Sequence, residues 1–140
     1  MKKSNITLLI ILIMCQCVCA SELIDLSIIA KIESTNNVLA YNKTSGAVGL
    51  YQITSIVLKD YNIINKTNYT KQDLFNPSIN KNIALWYINK RIPQILKSKN
   101  IPLTKENILI AYNCGHSCIG KPLKKETSQY ILKYSQYERN

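Results

Sequence analysis

The stretch of residues 28–53 constrains the fold more than any other, because a helical apolar pattern there runs into a glycine-bent turn. Apolar residues recur at helical spacing as far as Ile32, and a single acid, Glu33, follows directly. The turn Ser-Gly-Ala-Val-Gly of residues 45–49 then leads into Leu-Tyr-Gln. An acid at the end of a helix, facing a loop rich in amide and phenol groups, predicts a proton donor at a polar, sugar-sized cleft.

The electrostatic setting of Glu33 follows from the predicted helix. Ser21 is a suitable N-cap, and the helix is expected to stop near residues 34–37, where side chains compete for backbone hydrogen bonds. Glu33 then lies in the last turn, where the negative end of the helix dipole and burial beside aliphatic groups both raise the pKa of its carboxyl. A raised pKa is what a general acid working near neutral pH requires. The alternative interpretation is a solvated glutamate at a frayed helix end.

The region after this helix predicts a short β-like tongue. Residues 37–53 lack helical periodicity and contain the glycine turn, so we expect a loop with a short hairpin there. Thr54 or Ser55 can cap a brief helix over residues 56–61. Residues 62–75 are polar and are expected to be irregular. The tongue is therefore expected to lie between two helices.

Caps and helix breakers define the remaining helices. Pro77 lies near the start of the longest predicted helix, which Pro93 is expected to end or kink. Thr104 caps the next helix and Gly115 closes it, whereas Thr127 caps the last one. The length predicts one domain, and the order of elements predicts a mainly α fold.

The N-terminal segment has the layout of a secretory signal peptide. Lys2 and Lys3 precede an apolar run over residues 6–14, and small residues lead to Ala20. The run is shorter than the roughly 20 apolar residues that span a bilayer. We therefore predict a signal peptide at 1–20 and a domain at 21–140, located in the periplasm or outside the cell without a stable membrane span. Retention as an anchor is one alternative, and lipid attachment is another, at Cys15, Cys17 or Cys19.

Export leaves two cysteines, Cys114 and Cys118, in an oxidising compartment. Residues four apart in a helix or tight turn can bring their Cα atoms within the roughly 4.4–6.8 Å that a disulfide tolerates. We predict a local disulfide, with free thiols as the alternative. His116 is the only histidine, so the loop falls short of a closed tetrahedral metal site. We expect neither a metal nor a cofactor.

The charge is strongly basic, with 18 Lys and Arg against 8 Asp and Glu and a net charge of +10. Such an excess suits nucleic acid, an anionic membrane or an acidic polymer. The basic residues occur in short blocks, and no aromatic residues are interleaved with them as in RNA-binding sheets. We therefore interpret them as a solvated face and predict no nucleic-acid partner.

Four segments together resemble the soluble lytic transglycosylase domain, which is lysozyme-like and related to goose-type lysozyme. They are Glu-Ser-x-x-Asn at 33–37, Gly-Ala-Val-Gly-Leu-Tyr-Gln-Ile at 46–53, Ala-Tyr-Asn-Cys-Gly at 111–115 and Glu-Thr-x-x-Tyr at 126–130. The segment at 73–87 is similar to the family's middle part as well. The segments occur in the family's order and cover nearly the whole of residues 21–140. The resemblance implies a lysozyme-like (α+β) catalytic domain.

The same resemblance implies an activity, which is cleavage of the β-1,4 bond between N-acetylmuramic acid and N-acetylglucosamine in peptidoglycan. Glu33 would protonate the glycosidic oxygen and then act as a base. The muramic C6 hydroxyl would attack C1 and leave a 1,6-anhydro end. Small relatives of this kind resemble enzymes that open the wall locally for a secretion system, a conjugation machine or a pilus, and such a machine is the expected partner.

Further site residues are carried over by position. Ser34 would hold Glu33, and Tyr112 would pack and hydrogen-bond beside the acid. Gln52 and Asn113 would contact the glycan. Glu126 and Tyr130 match the last segment, where the resemblance implies a supporting or cleft-lining role.

The number of carboxylates bears on the mechanism. Most glycoside hydrolases use two, one as acid and one as base or nucleophile. Only Glu33 combines an apolar setting with an adjacent polar loop, which suits a reaction whose nucleophile belongs to the substrate. Glu126 could still fold close to Glu33. A hydrolytic muramidase and a wall-binding protein without turnover therefore remain alternatives.

Overall fold

The structure is a computed structural model that describes residues 23–140. The predicted signal peptide, its cysteines and the predicted cap Ser21 lie outside the described residues. The described part is mainly helical, as predicted. Its α-helices are α1 (Leu26–Ser34), α2 (Ser55–Asn65), α3 (Pro77–Trp86), α4 (Ile92–Ser98), α5 (Lys105–Cys114) and α6 (Lys125–Glu138), with 3₁₀ turns at Gln72–Phe75 and His116–Cys118 and a π-helical segment at Tyr87–Arg91.

Helix α1 begins later than predicted. Asp25 has extended backbone and its side chain accepts a hydrogen bond from the Ser27 N–H at 2.7 Å, so Asp25 is the N-cap of α1. The helix ends at Thr35, which adopts a left-handed conformation with φ 55°. The predicted end near residues 34–37 is therefore confirmed, and Glu33 lies in the last turn.

The tongue is present as predicted. Val48 forms isolated antiparallel bridges with Tyr41 on one side and Ile53 on the other. Thr54 then caps α2 by accepting a hydrogen bond from the Val57 N–H. Helix α2 extends to Asn65 and a 3₁₀ turn follows at Gln72–Phe75, so the prediction of an irregular segment over residues 62–75 is wrong at both of its ends.

Pro93 was expected to end or kink the third helix, and the first of these alternatives is wrong, because the helical run that begins at Pro77 continues through α4 to Ser98. Proline lacks the N–H that an α-helical ladder needs. The ladder instead widens ahead of the proline, where the Ile92 N–H donates to the Tyr87 carbonyl five residues earlier. This π-helical segment lets the chain pass Pro93 without a break.

Caps predicted the fifth helix well and the sixth poorly. The Thr104 hydroxyl accepts from the Asn107 N–H at 3.2 Å, and Gly115 closes α5 with φ 88°. Helix α6 begins at Lys125, and Thr127 is a buried residue inside its first turn. The prediction that Thr127 caps this helix is therefore wrong.

One core holds these elements together. Fully buried side chains come from α1, α3, α5 and α6, namely Ile29, Ile83, Ile108, Leu109 and Tyr134. The Tyr134 hydroxyl also accepts a hydrogen bond from the Asp25 N–H at 2.6 Å, which ties α6 to the start of α1. This arrangement places the end of α1 beside α6. None of the helices in the described range is long and apolar enough to cross a membrane.

Candidate active site

Glu33 lies at the wall of a groove between α1 and α6. Its side chain is half-buried. It borders a cavity of about 260 Å³ that is otherwise lined by polar and apolar residues of the two helices, namely Ile32, Glu126, Gln129, Tyr130 and Lys133. The carboxyl group is therefore sheltered and still accessible to a ligand.

Burial changes the acidity of Glu33. Loss of hydration raises the pKa of its carboxyl to about 7, and the neighbouring Tyr130 hydroxyl offsets part of that rise. The sequence-based expectation of a pKa raised by burial is confirmed. A carboxyl with this pKa is protonated in a large fraction of molecules at neutral pH, as a general acid requires.

Tyr130 contributes a buried hydroxyl to this groove. The side chain is 6% exposed, and its oxygen has no hydrogen-bond partner of ordinary geometry among the described residues. Its closeness to Glu33 is still evident, since the Glu33 charge raises the pKa of Tyr130, after the larger effect of burial. The hydroxyl therefore remains a neutral donor that is free to bond the acid or a ligand.

Tyr112 packs beside the acid from α5. Its hydroxyl donates to the Tyr51 carbonyl at 2.8 Å, which joins α5 to the tongue. Burial, and secondly the charge of Glu33, raise the pKa of Tyr112 well above its usual value. Tyr112 thus lies next to Glu33, although the Tyr112 hydroxyl donates its proton to the tongue and not to the acid.

Ser34 was expected to hold Glu33, and the structure gives it a less direct role. Its hydroxyl contacts two backbone carbonyls, that of Ala30 at 3.1 Å within α1 and that of Leu50 at 2.8 Å in the tongue. Ser34 therefore fixes the end of the helix that carries Glu33 against the tongue. No hydrogen bond joins it to the Glu33 carboxyl in the described part of the chain.

Gln52 lies in the tongue and Asn113 in α5, and neither lines the cavity that Glu33 borders. Gln52 has a left-handed backbone with φ 50°, and its Nε2 donates to the Gly49 carbonyl at 3.0 Å, so this amide braces the tongue. Asn113 is exposed in the last turn of α5. Glycan contact by either residue remains a prediction.

Glu126 is the second carboxylate of the groove. It is exposed in the first turn of α6 and borders the same cavity as Glu33. The sequence interpretation that Glu33 has no evident carboxylate partner is therefore weakened by the fold. The sequence left open whether these two acids lie close together, and in the structure both line the same cavity.

Asn80 and Gly49 support the site, and the sequence analysis missed both. Asn80 is fully buried; its Nδ2 donates to the carbonyls of Val48 and Leu74, and its Oδ1 accepts from the Tyr51 N–H. A Cβ on Gly49, which has φ 80°, would collide with the Asn80 amide. Asn80 thus acts as a clamp that holds the tongue against α3. This clamp requires a glycine at position 49.

The predicted disulfide between Cys114 and Cys118 is present, with a Cα–Cα distance of 6.1 Å. It closes the turn at the end of α5, and His116 lies within this turn. The described residues contain no group of three or more His, Cys, Asp or Glu side chains that could hold a metal ion.

The domain is mainly α-helical, with a short tongue and a groove that holds a carboxyl group whose pKa is about 7. These features together are those of a lysozyme-like enzyme. The family model described as the transglycosylase SLT domain matches residues 20–135, and the chain belongs to this family. The resemblance drawn from the four sequence segments is thereby confirmed. Membership implies a transglycosylase-type enzyme whose substrate is peptidoglycan. Searches of curated proteins and of solved structures gave no significant match.

Proposed function

We propose that the protein is a peptidoglycan lytic transglycosylase in which Glu33 is the sole catalytic acid and base. The observation that carries this proposal is the pKa of about 7 on a half-buried carboxyl that borders a groove. A group with this pKa can both donate a proton and accept one near neutral pH, which a two-step reaction with one side chain requires.

In the proposed reaction, protonated Glu33 gives its proton to the glycosidic oxygen between N-acetylmuramic acid and N-acetylglucosamine. The bond from that oxygen to the muramic C1 breaks. The C6 hydroxyl of the same muramic residue then attacks C1 while the Glu33 carboxylate takes the hydroxyl proton. The products are a 1,6-anhydromuramic end and a free N-acetylglucosamine end, with no water consumed. The nucleophile is intramolecular, so its effective concentration is high.

The other residues of the groove would orient this reaction. The unpartnered Tyr130 hydroxyl is available to bond the Glu33 carboxylate once its proton has left. Gln52 and Asn113 would bond the acetamido and hydroxyl groups of the glycan. Ser34 and Tyr112 would keep the tongue at a fixed distance from Glu33, because the hydroxyls of both residues donate to backbone carbonyls of the tongue.

The test is digestion of purified sacculi by the protein and by Glu33→Gln, with the released fragments separated by mass. We expect anhydromuropeptides from the parent and none from the variant. Glu106→Gln is the matched control, because Glu106 is an exposed glutamate in the first turn of α5, outside the lining of the Glu33 groove. Anhydro products that persist in Glu33→Gln would refute the assignment of the acid.

A hydrolytic muramidase is the second candidate, and the position of Glu126 favours it. Two carboxylates that face one glycosidic bond are the usual arrangement of a glycoside hydrolase. This candidate predicts reducing ends in place of anhydro ends, and a large loss of activity in Glu126→Gln. Sacculi that bind the protein but release no fragments would instead indicate a wall-binding protein without turnover.

The cellular setting is a further part of the proposal. An N-terminal signal peptide would deliver the domain to the periplasm or the exterior. There the basic surface of the domain would favour its binding to an anionic wall. Local wall opening for a secretion, conjugation or pilus apparatus is supported by the small size of the domain, which is an argument by analogy. Mass spectrometry of the exported protein determines whether cleavage follows Ala20. A Glu33→Gln strain that assembles its apparatus normally would refute the apparatus assignment.

A further inference from the structure

The connection between α5 and α6, residues 115–124, contributes no buried residue to the core. Every residue from 113 to 126 is exposed or half-buried, and Ile119 packs against the core only from its edge. Gly115 and Gly120 both have positive φ, and a Cβ added to either glycine would meet no atom within 4 Å. A segment with so little packing is expected to open locally at a lower free energy than the helices on either side of it.

The hydrogen bonds of this connection are all local. The Gly115 N–H donates to the Ala111 carbonyl at 3.1 Å, and the Cys118 N–H donates to the Gly115 carbonyl at 3.1 Å. In the described part of the chain, no hydrogen bond joins residues 115–124 to a residue outside 111–128. The Cys114–Cys118 disulfide, with Cα atoms 6.1 Å apart, therefore adds a constraint that depends neither on packing nor on distant bonds.

Both ends of the connection carry residues that lie near the proposed catalytic acid. Tyr112, two positions before the bridge, packs beside Glu33. After the connection, α6 presents Glu126 and Tyr130 to the cavity that Glu33 borders. A shift of about 1 Å in a positioning group can cost roughly a hundredfold in rate. A constraint on this connection therefore bears on catalysis.

The sulfur atoms of the bridge are accessible to a small reductant. Cys114 and Cys118 are half-buried, and the turn between them exposes His116 and Ser117. The first thiolate of a dithiol reductant attacks one sulfur and releases the other cysteine, and the second thiol of the reductant then releases the first. The reductant leaves as a disulfide, and each cysteine gains one electron and one proton to become a thiol.

We propose that the Cys114–Cys118 disulfide is a redox-controlled positioning device for the Glu33 groove. This inference rests on the proposed function. With the bridge closed, the end of α5 and the start of α6 keep fixed positions, and the glycan is cleaved at the full rate. With the bridge reduced, the connection opens while the buried core preserves the fold, so cleavage slows. The enzyme is then active in an oxidising compartment and attenuated where dithiol reductants are maintained.

The experiment compares the oxidised protein with the same protein reduced by dithiothreitol. Mass spectrometry establishes the state of the bridge, and circular dichroism establishes that the reduced protein is folded. One readout is the rate of fragment release from sacculi. The other is hydrogen exchange at the Gly115 and Cys118 amides. The Ile108 amide is the internal reference, because it bonds the Thr104 carbonyl at the far end of α5.

Two variants accompany the parent protein. Cys114→Ser together with Cys118→Ser removes the bridge permanently. Ser117→Ala is the matched control, because Ser117 is exposed in the same turn and its replacement leaves the bridge intact.

We expect reduction to slow fragment release about tenfold and to speed exchange at Gly115 and Cys118 by at least about tenfold, with Ile108 unchanged. The double serine variant should cleave at the slow rate with or without reductant. Reoxidation should restore the parent, and Ser117→Ala should behave as the parent does in both states.

A reduced parent that cleaves as fast as the oxidised parent would overturn the inference. Loss of the helical circular dichroism signal on reduction would also overturn it, because the bridge would then hold the whole fold. Failure of the proposed function would be seen separately, as an oxidised parent that releases no fragments from sacculi. In that case faster exchange at Gly115 on reduction would still support the positioning device, and unchanged exchange would refute it.

Discussion

The replacement Asn80→Leu tests the clamp between the tongue and α3. Asn80 is completely buried and bonds three backbone groups, namely the Val48 carbonyl at 2.9 Å, the Leu74 carbonyl at 2.8 Å and the Tyr51 N–H at 2.8 Å. Leucine has the same number of side-chain heavy atoms in the same branching pattern but offers neither a donor nor an acceptor. The replacement therefore removes all three hydrogen bonds without opening a large cavity.

The magnitude follows from the groups that lose their partners. A buried backbone group left unsatisfied costs about 1–3 kcal/mol, so three such groups cost roughly 3–9 kcal/mol. Burial of the leucine side chain returns about 2 kcal/mol. The difference is roughly 1–7 kcal/mol, so we expect the free energy of unfolding to fall by about 4 kcal/mol. This corresponds to a decrease in Tm of about 15 °C for a domain of this size. This is a large part of the roughly 5–15 kcal/mol that stabilises a typical domain.

The measurement is urea unfolding followed by circular dichroism, with the denaturant midpoint compared at constant slope. Asn82→Leu is the matched control, because Asn82 is exposed on the same helix and its replacement should change stability by less than about 0.5 kcal/mol. Hydrogen exchange at the Tyr51 amide reports whether the tongue detaches locally before the domain unfolds. A loss below about 1 kcal/mol, together with unchanged exchange at Tyr51, would show that the clamp does not hold the tongue.

Further predictions concern the acid and the glycine that faces the clamp. Activity should fall as the pH rises through about 7, because Glu33 must be protonated at the start of the reaction; a flat pH–rate profile up to pH 9 would contradict this. The folded pKa of Glu33 lies above its unfolded value of 4.5, so the carboxylate destabilises the fold as the pH rises between these values. Glu33→Gln should therefore be more stable than the parent by about 3 kcal/mol at pH 8 and equally stable at pH 4, as measured by urea unfolding. Tyr130→Phe should shift the alkaline limb of the pH–rate profile to higher pH, because the hydroxyl lowers the Glu33 pKa. Gly49→Ala should cost about 3 kcal/mol in thermal or urea unfolding, against about 1 kcal/mol for Gly120→Ala, because Gly120 has a similar φ of 76° but no atom within 4 Å of its added Cβ.

Local chemistry explains which parts of the fold the sequence predicted. Thr54 and Thr104 cap helices that begin one residue later, and Gly115 supplies the positive φ at the end of α5. Each of these features depends on bonds between residues only a few positions apart. The raised pKa of Glu33 was predictable for a related reason, since its apolar neighbours on α1 are adjacent in the sequence.

Long-range contacts explain the errors. The start of α1 after Asp25 coincides with a hydrogen bond from the Asp25 N–H to the Tyr134 hydroxyl, which is 109 positions away. Thr127 is drawn into the core instead of capping α6. Asn80 is a polar residue on an amphipathic helix, and only the backbone of a distant tongue makes its burial favourable. Such preferences cannot be read from a window of neighbouring residues.

The same principle bears on the mechanism, because the fold brings together acids that the sequence keeps apart. Glu33 and Glu126 border one cavity, so the absence of a second acid near Glu33 in the sequence no longer favours a substrate-derived nucleophile. The two environments still differ, since Glu33 is half-buried with a pKa near 7 whereas Glu126 is exposed. A base or nucleophile in a hydrolase must meet a water or C1 inside the groove. If Glu126 only supports the glycan, Glu126→Gln should weaken substrate binding and leave the anhydro product unchanged, and a switch in product or a loss of turnover at saturating substrate would assign it to the chemistry.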